Sequence, residues 1–314
     1  MYSNQMSTPV KLKRLPKNGT IGIFGPSSPA EQERLERGIK YIESLGYRVK
    51  TTKSCYSGID YLAGTGKERA DDLHQLIEDK TVDAVFCLRG GFGAIMMLPY
   101  LDYDKICQSK KMIVGFSDVT ALQWAFIKKR NYPSISAGMI ATDMAKIPIE
   151  PEFEASFWQM IEHGTIDYSF DFKAKEEKEI KGWALPGTMS VAAMLFGSEY
   201  FPSTKGAIMI LEDVDEPRHK IEAYLNQFKL SGAFSDLNAL VLGAFSPAPK
   251  EQYPEVPSLQ TVFDRTLNEL NVAVAQNLSY GHVPGKISLP VGTSLSLSLG
   301  ATCRIQSLDS IFER

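Results

Sequence analysis

A serine stands where an apolar segment gives way to an amphipathic one. In MIVGFSDVTA (112–121) the apolar run is followed by Ser117 and Asp118, and a helix-like pattern then begins. A serine at such a strand-to-helix turn can act as a nucleophile, because its hydroxyl lies at the edge of the sheet beside free helix N–H groups. Serine and aspartate are also common helix caps, and Val119 replaces the second glycine of the G-x-S-x-G pattern. Read locally, both interpretations stay open.

A glycine-rich stretch follows another apolar segment. LRGGFGA (88–94) contains Gly90, Gly91 and Gly93, which free the backbone to approach a ligand. No Gly-Lys-Ser/Thr follows, and the third glycine of a dinucleotide fingerprint is missing, so neither nucleotide motif fits. The pattern favours a cradle of backbone N–H groups for an anion or oxyanion at the edge of a sheet. A tight turn with close packing is the alternative.

Two further stretches supply a carboxylate and an imidazole. ILEDVDEP (210–217) places Glu212 at the end of an apolar strand, where a carboxylate can orient a histidine, although solvated acids at a helix start are the alternative. LSYGHVPGKISLPVG (278–292) places His282 in a loop rich in glycine and proline, where a histidine can serve as a base. The remaining histidines fall on predicted helix faces or ends and are expected at the surface: His74, His163 and His219.

Composition excludes several classes of protein. The chain has 314 residues and a net charge of −3, which gives no reason to expect nucleic acid or an anionic membrane as a partner. No apolar stretch approaches a membrane span, and MYSNQMSTPVKLKRLP lacks the apolar segment of a secretory signal. No His or Cys spacing fits a metal site, so we expect a cytoplasmic protein with free thiols, no metal and no cofactor. The cysteines are Cys55, Cys87, Cys107 and Cys303.

The elements that must position these residues alternate between strand and helix patterns. Ser28 before Pro29 predicts the cap of a helix after the first strand. The β-α-β-α rhythm predicts an α/β fold, with a doubly wound, flavodoxin-like parallel sheet in an N-terminal domain. A smaller C-terminal α/β domain of the swivelling kind, with an antiparallel edge, follows it. We predict an N-terminal domain over 1–164, an interdomain linker over 165–185 and a C-terminal domain over 186–314.

Taken together and in this order, the stretches resemble the LD-carboxypeptidase family, the serine peptidases of the S66 type. That family includes muramoyltetrapeptide carboxypeptidases and microcin C immunity hydrolases. The resemblance covers nearly the whole chain. The segments that carry it are IGIFGPSSP, YLAGTGKERADDL, VFCLRGGFGA, VGFSDVTAL, MILEDVDEPRHKIEAYL, LVLGAFS and GHVPGKISLPVG.

The resemblance implies roles for the candidate residues. The family's triad runs Ser-Glu-His along the chain, which implies Ser117 as nucleophile, Glu212 as the orienting carboxylate and His282 as base. The implied oxyanion hole consists of the backbone N–H of Asp118 and of Gly91. The resemblance therefore favours the nucleophile over the simple helix cap at Ser117.

One segment departs from the family pattern. Many relatives have Gly-Gly-Asn at the start of the C-terminal domain, where this chain has Pro186, Gly187 and Thr188. The asparagine whose amide contacts the substrate is therefore absent, a departure that concerns substrate specificity and leaves the triad unchanged. We expect Gly90, Trp183 and Thr188 to contact the substrate. In immunity-type relatives a tryptophan near this segment can stack on a nucleobase, whereas packing in the core is the other interpretation for Trp183.

Three functions compete at this level. The first implied by the resemblance is a serine carboxypeptidase that releases the terminal D-alanine from cytoplasmic murein tetrapeptides in peptidoglycan recycling. The second is a microcin C immunity-type hydrolase of peptidyl or aminoacyl nucleotides. The third is a peptide-binding protein without catalysis. The first two share a small peptide-like substrate, and the resemblance also implies a homodimer. A nucleic acid polymer or a membrane is not expected as a partner.

Overall fold

A computed structural model describes residues 9–248 and 255–313, which contain thirteen strands and eight α-helices. The strands are β1 (Thr20–Phe24), β2 (Arg48–Thr51), β3 (Ala84–Cys87), β4 (Met112–Gly115), β5 (Ser134–Ser136), β6 (Asp167–Phe170), β7 (Lys178–Thr188), β8 (Ala207–Glu216), β9 (Ala239–Pro247), β10 (Ala273–Ala275), β11 (Leu289–Val291), β12 (Ser294–Leu299) and β13 (Cys303–Ser307). The helices are α1 (Gln32–Ser44), α2 (Gly66–Glu78), α3 (Tyr103–Ser109), α4 (Thr120–Arg130), α5 (Pro151–His163), α6 (Met189–Ala193), α7 (Arg218–Leu230) and α8 (Leu259–Leu267).

The first sheet is parallel over the first five strands of the chain. Its order is β11-β5-β4-β3-β1-β2, and the run 2-1-3-4-5 within it is the order of flavodoxin-like sheets. All residues of β1, β3 and β4 are buried, which explains why these strands are continuously apolar in sequence. The predicted α/β fold is confirmed, and the glycine-rich and serine-bearing loops follow the neighbouring strands β3 and β4.

The second sheet has the order β10-β9-β8-β7-β12-β13-β6. Strands β7 to β10 pair in parallel, whereas β12, β13 and β6 are antiparallel, as the alternating patterns near the C-terminus predict. The predicted linker 165–185 does not form a free connection in the structure. It supplies β6 and most of β7, because its alternating apolar residues pair with β13 and β12.

Two contacts join the sheets around the loops that carry the candidate residues. Helix α4, buried from Thr120 to Ile127, packs against β7, and the indole N–H of Trp124 donates to the carbonyl of Pro186 at 2.9 Å. Strand β11 comes from the part of the chain predicted as C-terminal domain, yet it pairs antiparallel with β5 of the first sheet. This return holds the segment before β11, which contains His282, against the first sheet.

The pairing of β11 should be a measurable source of stability. Leu289 is fully buried in this strand, so Leu289→Ala should lower the free energy of unfolding by about 2–5 kcal/mol through lost burial and a cavity. Leu230, 86% exposed at the end of α7, provides the matched control, and Leu230→Ala should change it by less than about 0.5 kcal/mol. Urea unfolding of both variants tests this. Equal decreases in the free energy of unfolding would show that the burial of Leu289 in β11 contributes no more than an exposed leucine.

Candidate active site

The turn after β4 presents the Ser117 hydroxyl in a strained backbone conformation. Ser117 has φ +64°, in the left-handed region that residues with a Cβ seldom adopt. Such strain persists only where the surroundings fix it, as at nucleophile turns. The Oγ atom lies 3.0 Å from Nε2 of His282. The hydroxyl is therefore paired with the imidazole and is not used as a helix cap.

The glycines after β3 make room for that turn. A Cβ on Gly90 would lie 2.9 Å from Cβ and 3.1 Å from Oγ of Ser117. Gly91 has φ +122°, and a Cβ there would lie 2.3 Å from Oγ of Ser28. Both positions therefore require glycine, and Gly90 lies against the serine as well as lining the cavity beside it.

Ser28 has a different role from the predicted one. Its Oγ accepts a hydrogen bond from the N–H of Phe92 at 3.2 Å. Helix α1 begins only at Gln32, with Glu31 in the capping position and no side-chain cap. The predicted helix cap at Ser28 is thus wrong, because its hydroxyl is hydrogen-bonded to the glycine-rich loop and not to the start of α1.

The Asp118 side chain anchors the glycine-rich loop from the other side. Its buried carboxylate accepts a hydrogen bond from the N–H of Ala94 at 2.8 Å, and burial raises the pKa of this carboxyl. The fully buried Arg69 donates to the carbonyl of Gly93 at 2.9 Å and to that of Pro26. Side chains from α2 and from the serine turn therefore fix the end of the loop. Nothing in the sequence pattern of Arg69, a charge on a helix, marks this role.

His282 links the serine to a buried carboxylate. Its Nδ1 lies 2.8 Å from Oε2 of Glu212, which is fully buried. Glu212 lies four residues before the end of β8, so the predicted strand-end position is not observed. With Glu212 ionised, Nδ1–H donates to the carboxylate, so Nε2 is left to accept the proton of Ser117 Oγ. The ring of Phe116 lies 4.8 Å from the imidazole and supports it. The structure thus brings Ser117, His282 and Glu212 into one hydrogen-bonded chain.

Thr188 completes the surroundings of Glu212. Its hydroxyl donates to Oε1 of the carboxylate, and its own N–H donates to Oγ1 of Thr120 at 3.0 Å. The two strands also pair here, with Thr188 opposite Glu212. Only 3% of Thr188 is exposed, so the structure places this residue against Glu212 and not on the surface of a substrate pocket.

Trp183 lies away from this cluster. It precedes Thr188 by five residues on β7, which corresponds to about 16 Å along a strand. Its indole N–H donates to the carbonyl of Lys205 at 2.9 Å, and 9% of the residue is exposed. Within this chain the structure therefore favours packing for Trp183 over a contact near Ser117.

A cavity of about 530 Å³ opens beside Ser117 and His282. Among the residues that the structure describes, four basic and two acidic side chains line the cavity, together with glycines and apolar residues. The residues that line it are Arg34, Arg89, Gly90, Gly91, Phe116, Ser117, Met139, Thr142, Asp143, Lys146, Val214, Asp215, His282, Val283, Pro284 and Lys286. No group of three or more His, Cys, Asp or Glu suited to a metal occurs within the described ranges. No helix there combines the length and apolar character that crossing a bilayer requires.

Residues 21–137 match the family model of the LD-carboxypeptidase N-terminal domain, and residues 181–297 match that of its C-terminal domain. The chain belongs to the LD-carboxypeptidase family. A probable murein peptide carboxypeptidase of Bacillus subtilis is 27% identical over 92% of this chain and 91% of its own length. The microcin C7 self-immunity protein MccF of Escherichia coli is 24% identical over 93% and 94%.

A solved LD-carboxypeptidase structure agrees with the fold. The crystal structure of muramoyltetrapeptide carboxypeptidase from Oxalobacter formigenes superposes with a TM-score of 0.86 at 26% identity, covering 93% of this chain and 99% of that one. The predicted family and α/β fold are thereby confirmed. The hydrogen-bonded chain of Ser117, His282 and Glu212 lies in both matched domains, with the serine in the first and the other two in the second.

The Thr188 hydroxyl should be needed to hold Glu212. Thr188→Val keeps the shape but leaves Oε1 without this donor, so kcat/KM should fall by about 10- to 100-fold, the value of a hydrogen bond to a charged group. Thr188→Ser keeps the hydroxyl and should keep most of the activity. Steady-state kinetics of both variants checks this, and wild-type kcat/KM in Thr188→Val would refute it.

Gly90 should tolerate no side chain. Gly90→Ala would push against Ser117, and a displacement of about 1 Å at a nucleophile can lower the rate by about 100-fold. Gly58→Ala is the control, because its Cβ would meet nothing closer than Pro29 at 3.6 Å. Circular dichroism should show both variants folded while only Gly90→Ala loses activity, and an active Gly90→Ala would contradict the close fit.

Proposed function

We propose that this protein is a serine peptidase that releases the terminal D-alanine from murein tetrapeptides by hydrolysing the amide bond between an L-centre and D-alanine. The observation that carries the proposal is the hydrogen-bonded chain from Ser117 through His282 to Glu212, with distances of 3.0 and 2.8 Å. The proposed step belongs to peptidoglycan recycling, in keeping with the named substrates of the related carboxypeptidases.

In the proposed mechanism His282 acts first as base and then as acid. Its Nε2 takes the proton of Ser117 while Oγ attacks the carbonyl carbon of the L-centre. The tetrahedral intermediate collapses when the imidazolium gives that proton to the amine of D-alanine, which leaves. Water, deprotonated by the same nitrogen, then attacks the ester carbonyl, and the Oγ–C bond breaks as the imidazolium returns the proton to Ser117 Oγ. Glu212 fixes the imidazole tautomer and stabilises the imidazolium throughout.

The proposed oxyanion hole consists of the backbone N–H groups of Asp118 and Gly91. Asp118 directly follows the nucleophile, at the start of a short 3₁₀ turn that leads into α4. Gly91 lies in the loop that Ser28 and the Asp118 carboxylate hold in place. Donors fixed in advance stabilise the developing charge without reorganisation, and losing one typically lowers the rate by about 10²–10³.

The peptide substrate fits this chain better than a nucleotide one. MccF is also a relative, but only 9% of Trp183 is exposed, which leaves little of its ring face for stacking on a base, and Trp183 does not line the cavity beside Ser117. We therefore assign no base-stacking role to it, and we retain no substrate contact for Thr188. Gly90 remains a wall of the proposed substrate cavity.

The setting of the reaction completes the proposal. All four cysteines are free thiols, which supports a reducing compartment, and we propose the cytoplasm, where murein fragments are recycled. We also propose a homodimer on the strength of the family resemblance. The partner is then a small peptide, with no cofactor.

The deciding test follows D-alanine release from a murein tetrapeptide. The wild-type protein should release it, and Ser117→Ala should reduce the rate by several orders of magnitude, as loss of a triad nucleophile does. Ser44→Ala, at an exposed serine in α1, is the matched control and should keep the rate.

Other outcomes point to other functions. Hydrolysis of an aminoacyl sulfamoyl adenosine without release of D-alanine would replace the proposal by an immunity-type activity. Binding of the tetrapeptide without hydrolysis would indicate a non-catalytic binder. Full activity of Ser117→Ala would remove this serine as the nucleophile.

A further inference from the structure

The cavity beside Ser117 is more cationic than the protein as a whole. The chain has a net charge of −3, yet four basic side chains and only two acidic ones line this cavity, apart from His282. The basic residues are Arg34, Arg89, Lys146 and Lys286, and the acidic residues are Asp143 and Asp215. Such an excess of positive charge favours an anionic ligand group.

The two lysines already have an anionic partner. Nζ of Lys286 lies 3.0 Å from Asp143, and both side chains are less than 10% exposed. Burial alone would raise the pKa of Asp143, but the ion pair with Lys286 holds it below its usual value. Nζ of Lys146 lies 3.9 Å from the same carboxylate. The two lysines therefore share one carboxylate, which compensates part of their charge.

The two arginines have no such partner. In the described part of the chain no carboxylate lies within 4.0 Å of Arg34 or Arg89, and both residues are half-buried. Nε of Arg34 donates to the carbonyl of Ala141 at 2.9 Å. Arg89 donates from Nε to the carbonyl of Gly90 at 3.2 Å and from Nη1 to that of Pro29 at 3.4 Å. These carbonyls orient the guanidinium groups but leave their charge uncompensated.

Arg89 also stands at the distance that the proposed substrate requires. Gly90 abuts Ser117, so the Cα of Arg89 lies within about 8 Å of the Ser117 Cβ, given 3.8 Å between successive Cα atoms. In a peptide that ends in D-alanine, only the amide nitrogen and Cα separate the scissile carbonyl carbon from the carboxylate carbon, a span of about 4 Å. The side chain of Arg89 is long enough to span the remaining distance between its Cα and the carboxylate.

We infer that Arg89, assisted by Arg34, binds the terminal carboxylate of the substrate beside Ser117 and thereby limits cleavage to the last amide bond. This inference rests on the proposed function and adds the residues that recognise the free chain end. A guanidinium matches a carboxylate with two parallel N–H donors, so arginine suits this role better than a lysine. Asp215 is exposed at the same cavity, and its negative charge would repel the substrate carboxylate and so favour binding on the side of the arginines.

The test compares a murein tetrapeptide that has a free C-terminal carboxylate with its C-terminal carboxamide. The wild-type protein should prefer the acid by about 10- to 100-fold in kcat/KM, the range for hydrogen bonds to a charged group. Arg89→Met should lose this preference by becoming slower on the acid and not on the amide. Arg34→Met should show the same change to a smaller degree. If Arg89→Met folds poorly, Arg34→Met provides the test of the carboxylate site in its place. Arg89→Lys should recover only part of the preference.

Two controls separate this site from general effects of charge. Arg37→Met removes an arginine of the same helix α1 that pairs with Glu33 at 2.7 Å outside the cavity, and it should change neither rate. Lys146→Met removes a cavity charge that already contacts Asp143 at 3.9 Å, and it should leave the ratio of kcat/KM on the acid to kcat/KM on the amide unchanged. A ratio that collapses in Lys146→Met but persists in both arginine variants would overturn the assignment.

The outcomes distinguish a failure of the carboxylate site from a failure of the proposed peptidase function. If the wild type releases D-alanine but treats acid and amide alike, or if both arginine variants slow both substrates equally, the carboxylate site is wrong and the proposed function stands. If the wild type releases no D-alanine from the acid, the proposed function fails and the carboxylate site fails with it.

Discussion

The hydrogen bond between Glu212 and His282 is the contact on which the site depends. Glu212 is fully buried, and a buried carboxylate is stable only if hydrogen-bond donors or a positive charge satisfy its oxygens. Nδ1 of His282 satisfies one oxygen and the Thr188 hydroxyl satisfies the other. The same bond joins β8 of the second sheet to the segment that leads into β11 of the first. The need to satisfy one charge thus fixes the position of His282, the proposed base.

Ser117, the proposed nucleophile, is positioned by a separate set of contacts at the edge of the first sheet. Strands β3 and β4 are parallel neighbours, so the loops after them meet. The left-handed turn at Ser117 fits only because Gly90 leaves space, and the buried Arg69 and Asp118 hold the glycine-rich loop beside it. Because α4 also packs against β7, the turn is held between the sheets. The serine therefore meets His282 without rearrangement, which favours catalysis by preorganisation.

Local sequence patterns predict the strands and single out the candidate side chains, because strand-end positions and glycine content are local properties. They do not predict partners that only the tertiary fold supplies. The three residues of β11 are too few to show that this strand returns to the first sheet. The sequence neighbours of Ser28 predict a helix cap, and the family resemblance implies substrate contacts for Thr188 and Trp183. The hydrogen bonds of Ser28, Thr188 and Trp183 go instead to Phe92, Glu212 and Lys205, respectively, in other segments.

Glu212 and Asp213, consecutive acids in the second half of β8, show how one strand can hold two buried carboxyl groups. Glu212 contacts His282, whereas Asp213 accepts hydrogen bonds from the N–H and hydroxyl of Ser190 at the start of α6. Burial, together with the nearby Glu212, raises the pKa of Asp213 from 3.8 to about 7. The unfolded chain therefore loses this proton at a lower pH than the folded protein. The contribution of Asp213 to the free energy of unfolding consequently falls as the pH rises from about 4 to about 7.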